Sequence, residues 1–132
     1  MDAAYAIWKR VEAHKETVET ILEDVIAKYQ EFILSLVAYA PVIVISAPLQ
    51  TISDCRGCGD ETSRIRSSID ISIEKRTAIT LKFNQKIKNF CSQQGIDYFD
   101  FDFIAMGKNG IVRRWLIQNN PQCQMLWTNT MY

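Results

Sequence analysis

Few side chains in this sequence combine the type and the spacing that a chemical site requires. Cys55 and Cys58 form a C-x-x-C pair, the spacing of a zinc knuckle or a redox dithiol. Cys91 and Cys123 lie far from it and from each other, so they supply no second ligand pair at short spacing. Because the pair lies in a polar, glycine-containing stretch rather than at the start of a helix, we expect loop cysteines without a metal. A zinc site at Cys55 and Cys58 is the alternative.

Histidine and aspartate are the other candidates. His14 is the one histidine, which excludes any site that needs two, and it falls off the apolar stripe of its helix, so we expect a solvated side chain. Asp97, Asp100 and Asp102 alternate with aromatic residues and would share one face of a strand. They could bind a cation or act as acid and base at the strand end. We favour aspartates that cap the next helix or line a solvated sheet edge.

Length and charge limit what these residues can do. The chain has 132 residues and a mass of 15.2 kDa, with 15 basic and 15 acidic side chains. We expect one domain, residues 1–132, with its own core. Zero net charge argues against binding driven by charge to nucleic acid or to a membrane surface. No apolar run is long enough to span a bilayer. We expect no secretory signal, because the start has no basic region followed by an apolar stretch. We therefore predict a cytoplasmic protein without a cofactor.

The elements that must position these side chains begin with a helical region, residues 1–40. Its apolar residues recur at steps of three and four, the spacing of one helix face. An amphipathic helix packed on a sheet is the favoured interpretation, and a coiled coil built on the heptads of residues 8–36 is the alternative. Pro41 ends the helix. The stripe comprises Trp8, Val11, Val18, Leu22, Val25, Tyr29, Phe32 and Leu36.

Residues 41–118 predict the order strand, loop, helix, strand, helix. The β-branched run 42–45 indicates a short strand buried on both faces, as in parallel sheets covered by helices. A helix over 72–94 would begin at Ser72 as N-cap and end at Gly95. The remaining segments are a polar loop at 49–70, a second strand at 96–103, a turn at 108–110, a short helix at 111–118 and a tail at 119–132.

Helices that alternate with strands predict an open parallel α/β sheet with right-handed crossovers. Two strands make only half of such a sheet, because the strand at 42–45 requires neighbours on both sides. The sequence thus has the organisation of the second half of a larger fold.

One family has this order of motifs. A buried strand ends in Ser46-Ala47-Pro48, and a helix follows with Arg76-x-x-x-Thr80-x-x-Phe83-Asn84-x-x-Ile87-x-x-x-Cys91. The segment Gly95-Ile96-Asp97-Tyr98-Phe99-Asp100 and the turn Lys108-Asn109-Gly110-Ile111-Val112 come next. Over roughly residues 20–118, this order resembles the C-terminal half of the SGNH/GDSL hydrolases, particularly the branch associated with polysaccharide esterases.

The resemblance implies a partial flavodoxin-like three-layer α/β/α fold with a short parallel sheet, a long N-terminal helix and ester hydrolysis, often deacetylation of a sugar. That chemistry takes a serine nucleophile from a Gly-Asp-Ser block, and an Asp-x-x-His supplies the base. In such a helix Arg76 and Asn84 would be structural. The family's first strands and oxyanion residues would lie before Met1.

The sequence departs from the family at the catalytic blocks. Gly59-Asp60-Glu61 is a chance match to the nucleophile block, and Asn129-Thr130-Met131-Tyr132 has the spacing of a degenerate Asp-x-x-His, with a tyrosine whose usual pKa is about 10 in place of the base. We therefore predict a truncated SGNH hydrolase-like fragment, a pseudoenzyme inactive alone as an esterase. Its partner would be a chain that supplies the missing half, or a second copy. The alternative is a non-catalytic, self-associating module built on the heptad helix.

Overall fold

A computed structural model describes residues 3–49 and 72–113, with side chains from residue 7 onward. The described residues are mostly helical, at 64%, and their elements are those of a small α/β class. The elements in chain order are α1 (Ala3–His14), α2 (Val18–Val37), β1 (Ile43–Ile45), α3 (Ile73–Gln94), β2 (Asp97–Phe99) and α4 (Asp102–Ala105).

The N-terminal helical region is two helices, so the single long helix predicted for it is wrong. Lys15 adopts a left-handed backbone conformation, with φ of 53°, which a helix cannot contain. Thr17 then caps α2, because its hydroxyl accepts the N–H of Thr20 at 3.2 Å. The heptad pattern of residues 8–36 is therefore divided between α1 and α2, which pack against each other, and it forms no continuous coiled-coil seam.

The two predicted strands pair in parallel, as expected, but both are shorter than the sequence indicated. Ile43 pairs with Asp97 and Ile45 with Phe99. β2 ends at Phe99, so the strand predicted at 96–103 is wrong beyond that residue. The helix between the strands has the predicted ends: Ser72 accepts the N–H of Lys75, and Gly95 closes α3 at a φ of 67°.

The described residues cover one face of the sheet and leave the other open. Val44 is buried in the main core, whereas Ile43 and Ile45 on the opposite face are 66% and 57% exposed. The prediction of a strand buried on both faces is therefore wrong. Tyr98 packs on the same core as Val44, while Phe99 is exposed beside Ile45.

The covered face lies against three mutually packed helices. α1, α2 and α3 all contact one another, and their buried side chains meet Val44 in one cluster. Tyr29 of α2 packs against Phe83 of α3 in a tilted arrangement, with ring centroids 5.7 Å apart. The described elements therefore form two layers, helices over a sheet. The other members of the cluster are Ile7, Ile21, Leu22, Ile26, Ile33, Ile87 and Cys91.

A second, smaller cluster lies beyond β2. After α4 the chain makes the predicted turn, with Gly110 at a φ of 74°, and returns so that Met106 and Val112 form an antiparallel bridge. Val112 packs against Leu49 there. The start of the helix predicted at 111–118 is thus extended rather than helical, and residues 114–118 lie outside the described part. No helix within residues 3–49 and 72–113 combines the length and apolar character needed to cross a membrane.

Candidate functional site at the carboxyl edge of the sheet

Two of the predicted aspartates, Asp100 and Asp102, lie where β1 and β2 end, and Asn84 is at the centre of the polar cluster there. Its side chain accepts the N–H of Ala47 at 2.8 Å and donates to the Ala47 carbonyl at 2.9 Å. A third hydrogen bond runs from Nδ2 to Oδ1 of Asp102, also 2.9 Å. Because Asn84 is almost fully buried, these bonds satisfy both amide atoms. The structural role predicted for Asn84 is confirmed.

The neighbouring hydroxyl groups also join the two strands. Ser46 is 5% exposed, and its Oγ accepts the N–H of Phe101 at 2.9 Å. The hydroxyl of Tyr98 donates to the carbonyl of Asn84 at 3.4 Å. Burial, and next the nearby charge of Asp102, raise the pKa of Tyr98 far above its ordinary value. Tyr98 therefore stays a neutral donor, and Ser46 is engaged in holding the chain after β2.

Asp100 and Asp102 have opposite electrostatic environments. Lys88 donates to Oδ2 of Asp100 at 2.8 Å, and this hydrogen bond lowers the pKa of Asp100. The other oxygen of Asp100 accepts the N–H of Asp102 at 2.9 Å. Burial raises the pKa of Asp102. The hydrogen bond from Asn84 acts to lower this pKa, and repulsion by the charge of Asp100 acts to raise it. Asp100 thus holds the turn before α4, and Asp102 is the first residue of that helix. The N-cap position is Phe101 and carries no side-chain capping bond, so the helix capping predicted for the aspartates is not observed.

The aspartates do not share a strand face. Asp97 is exposed on β2, whereas Asp100 follows the strand and Asp102 is the first residue of α4. The alternation predicted for all three is therefore wrong, because the chain leaves the extended conformation at Phe101, with φ −94° and ψ −9°. Within the described ranges, no group of three metal-ligating side chains is assembled. Four side chains at this edge hydrogen-bond backbone groups of the same chain: Asn84, Ser46, Tyr98 and Asp100.

The other predicted site residues are not brought to this edge. His14 is exposed at the end of α1. Cys55 and Cys58, the degenerate Asn129 and Tyr132, and the Gly59-Asp60-Glu61 match lie outside the described residues. Cys91 is a buried free thiol on α3, and burial raises its pKa.

Sequence reasoning missed Ser46 and Lys88. In the sequence, Ser46 is part of a proline-containing strand end, and Lys88 belongs to no motif. The partners that give them a role, Phe101 and Asp100, lie 55 and 12 residues away in the chain. A pattern that covers a few turns of helix contains no signal for such contacts.

The comparisons give no family for this chain: no protein-family model, no curated protein and no solved structure matches it.

Proposed function

We propose that this chain is a non-catalytic α/β unit of the SGNH hydrolase type, which joins its short sheet to a strand of another polypeptide. The observation that carries the proposal is the pair of hydrogen bonds between the Asn84 side chain and the backbone of Ala47. These hydrogen bonds support the resemblance, because it places an asparagine-bearing helix after the strand that ends in Ser46-Ala47-Pro48. Further support comes from α3, where the resembling positions Thr80, Ile87 and Cys91 are buried on the same face as Asn84.

The chemistry of the described residues supports a role without catalysis. A serine becomes a nucleophile when a base takes its proton, and donors must be aimed at the developing oxyanion. Ser46 instead accepts a backbone hydrogen bond and is nearly inaccessible. Within residues 7–49 and 72–113, none of the hydrogen bonds joins a serine to His14. A three-layer fold, as in the flavodoxin-like class, requires a further layer over the sheet face that the described residues leave open.

Hydrolysis of p-nitrophenyl acetate tests the proposal. We expect the native chain to release p-nitrophenol no faster than the same chain in urea, because its exposed lysines and histidine react in both states and unfolding adds buried groups such as the Cys91 thiol. Ser46→Ala and Ser35→Ala form a matched pair, since Ser46 is buried and Ser35 is exposed on α2. A native rate several times the denatured rate, abolished by one serine substitution and kept by the other, would contradict a non-catalytic function.

Self-association, the second candidate, is favoured by a different observation from the heptads. The described sheet exposes one apolar face and the free edge of β1, where Ile43 and Ile45 are the exposed residues. Hydrophobic surface beside unpaired strand groups is typical of a site for strand addition.

A further inference from the structure

The free edge of β1 presents the backbone of two residues only. Ser46 donates its N–H to the carbonyl of Phe99 at 3.0 Å, so its backbone faces β2. Backbone groups alternate sides along a strand, which directs those of Val44 to β2 and those of Ile43 and Ile45 to the opposite edge. Among the described residues, β1 pairs with β2 alone. The N–H and C=O groups of Ile43 and Ile45 are therefore available to one more strand.

Both ends of this edge are closed. Pro41 has no N–H to donate. Ala47, the next residue whose backbone would face outward, has its N–H and C=O held by the side chain of Asn84. A strand added at this edge can thus bond to Ile43 and Ile45 and to neither neighbour. That limit fixes the length and the register of any added strand.

The composition of the edge indicates which partner fits. Residues 32–49 contain no charged side chain, so two copies of this segment meet without like charges. A lipid surface would accept the exposed isoleucines but would leave the backbone groups unsatisfied, which is costly in hydrocarbon. The outer edge of β2 is a poorer site, because a second β2 there would bring the exposed Asp97 near its own copy.

We propose that two copies of this protein pair their β1 strands antiparallel about a two-fold axis at Val44, giving a four-stranded sheet in the order β2-β1-β1-β2. Ile43 of each copy then lies opposite Ile45 of the other. Each of these two pairs exchanges two N–H···O=C bonds, with Val44 facing its copy as the non-bonded pair between them. The blocked positions face each other, since Pro41 lies opposite Ala47. The inference rests on the proposed function, because it names the polypeptide that completes the sheet.

Light scattering during size exclusion, on the full chain at tens of micromolar, tests the inference. We expect a mass about twice 15.2 kDa. Ile45→Pro removes an N–H that faces away from β2 and leaves the β1–β2 bonds intact, so its dissociation constant should rise roughly tenfold or more. Ile45→Thr is the matched control, because it shortens the apolar side chain and keeps the N–H. It should remain a dimer.

If Ile45→Pro fails to fold, which loss of its helical circular dichroism would show, a second measurement on the wild-type chain takes its place. Amide exchange of Ile43 and Ile45 in the wild-type chain should slow as concentration rises, while exchange of Tyr98, whose N–H faces the outer edge of β2, should not. A folded wild-type monomer across this range overturns the inference, as does a dimer that Ile45→Pro leaves intact. Binding of a monomer to phosphatidylcholine vesicles would assign the surface to lipid instead. None of these results alters the esterase measurement, which tests the proposed function separately.

Discussion

Asn84 and Ala47 lie 37 residues apart in the chain, yet two hydrogen bonds of 2.8 and 2.9 Å join them as if Asn84 were one residue of a neighbouring strand. An amide side chain offers one acceptor oxygen and two N–H donors. The oxygen and one donor match the N–H and C=O of Ala47, and one donor remains. That remaining donor reaches Asp102. One side chain on α3 therefore fixes the end of β1 and the start of α4.

Replacing Asn84 should be among the most destabilising single changes. Asn84→Ala leaves the half-buried backbone groups of Ala47 without their Asn84 partners and removes the bond to Asp102, so we expect a loss of about 2–4 kcal/mol of unfolding free energy. Urea denaturation followed by circular dichroism measures it. Asn89→Ala, on the exposed side of the same helix, should change stability by less than about 0.5 kcal/mol. Equal losses in the two variants would contradict the role given to Asn84.

Asp102 should make stability depend on pH in the direction opposite to most aspartates. Its pKa is raised in the folded protein, so the folded protein holds the proton of Asp102 more tightly than the unfolded chain does. The contribution of Asp102 to stability is therefore greatest at acidic pH, and it falls as pH rises through the folded-state pKa. Asp102→Asn keeps an oxygen for Asn84 and removes the buried charge. The variant should gain stability over the wild type near pH 7 and lose that advantage in acid.

Urea melts of both proteins between pH 3 and 8 measure this difference. Asp97→Asn removes the same charge from an exposed position of β2 and serves as the control. An advantage of Asp102→Asn that stays constant down to the lowest pH would show that the burial of Asp102 has no electrostatic cost.

Lys88 and Asp100 should contribute with the opposite sign. The pKa of Asp100 is lowered by the hydrogen bond from Lys88, so this pair stabilises the fold at pH above the unfolded-state pKa, and its contribution is lost as pH falls through the folded-state pKa. Both side chains are partly solvated, which limits the effect of Lys88→Met to at most about 1 kcal/mol near pH 7. In the same melts, a loss that persists unchanged in acid would point to packing of the lysine stem instead.

The break between α1 and α2 predicts a stabilising substitution. Lys15 has a φ of 53°, a conformation that glycine adopts without the Cβ clash. Lys15→Gly should raise the melting temperature, with a gain of about 0.5–1 kcal/mol. Lys9→Gly, inside α1, should instead cost about 1 kcal/mol. If Lys15→Gly is as harmful as Lys9→Gly, residues 3–37 form a continuous helix in solution.

Local signals predicted α3 well and the elements around it less well. Ser72 begins α3 because its hydroxyl accepts a backbone N–H of the first turn, and Gly95 ends the helix because glycine adopts a positive φ freely. Both effects act within a few residues, so they can be inferred without tertiary contacts. Thr17 caps α2 by the same physics, but the apolar stripe continues in phase across it and indicates one helix. At that point a local cap, rather than the periodicity, decided the structure.

The end of β2 shows where sequence patterns stop being informative. Alternation of aromatic and acidic residues continues through Phe101 and Phe103, as in a longer strand. The chain turns after Phe99 because Asp100 accepts the N–H of Asp102 and Ser46 accepts the N–H of Phe101. The second of these bonds comes from a distant part of the chain. The carboxyl-edge cluster could therefore be predicted in its residue types but not in its geometry.

The register of the sheet also determines the order in which this protein can assemble. Ile43 pairs with Asp97, so closing the sheet requires the ends of a segment of more than fifty residues to meet, at an entropic cost that grows with the length of that loop. The α1–α2 and α3–β2 neighbours, in contrast, are joined by a few residues and form quickly. Helical signal should therefore precede strand pairing during refolding, and the free edge of β1 exists only after the slowest step is complete.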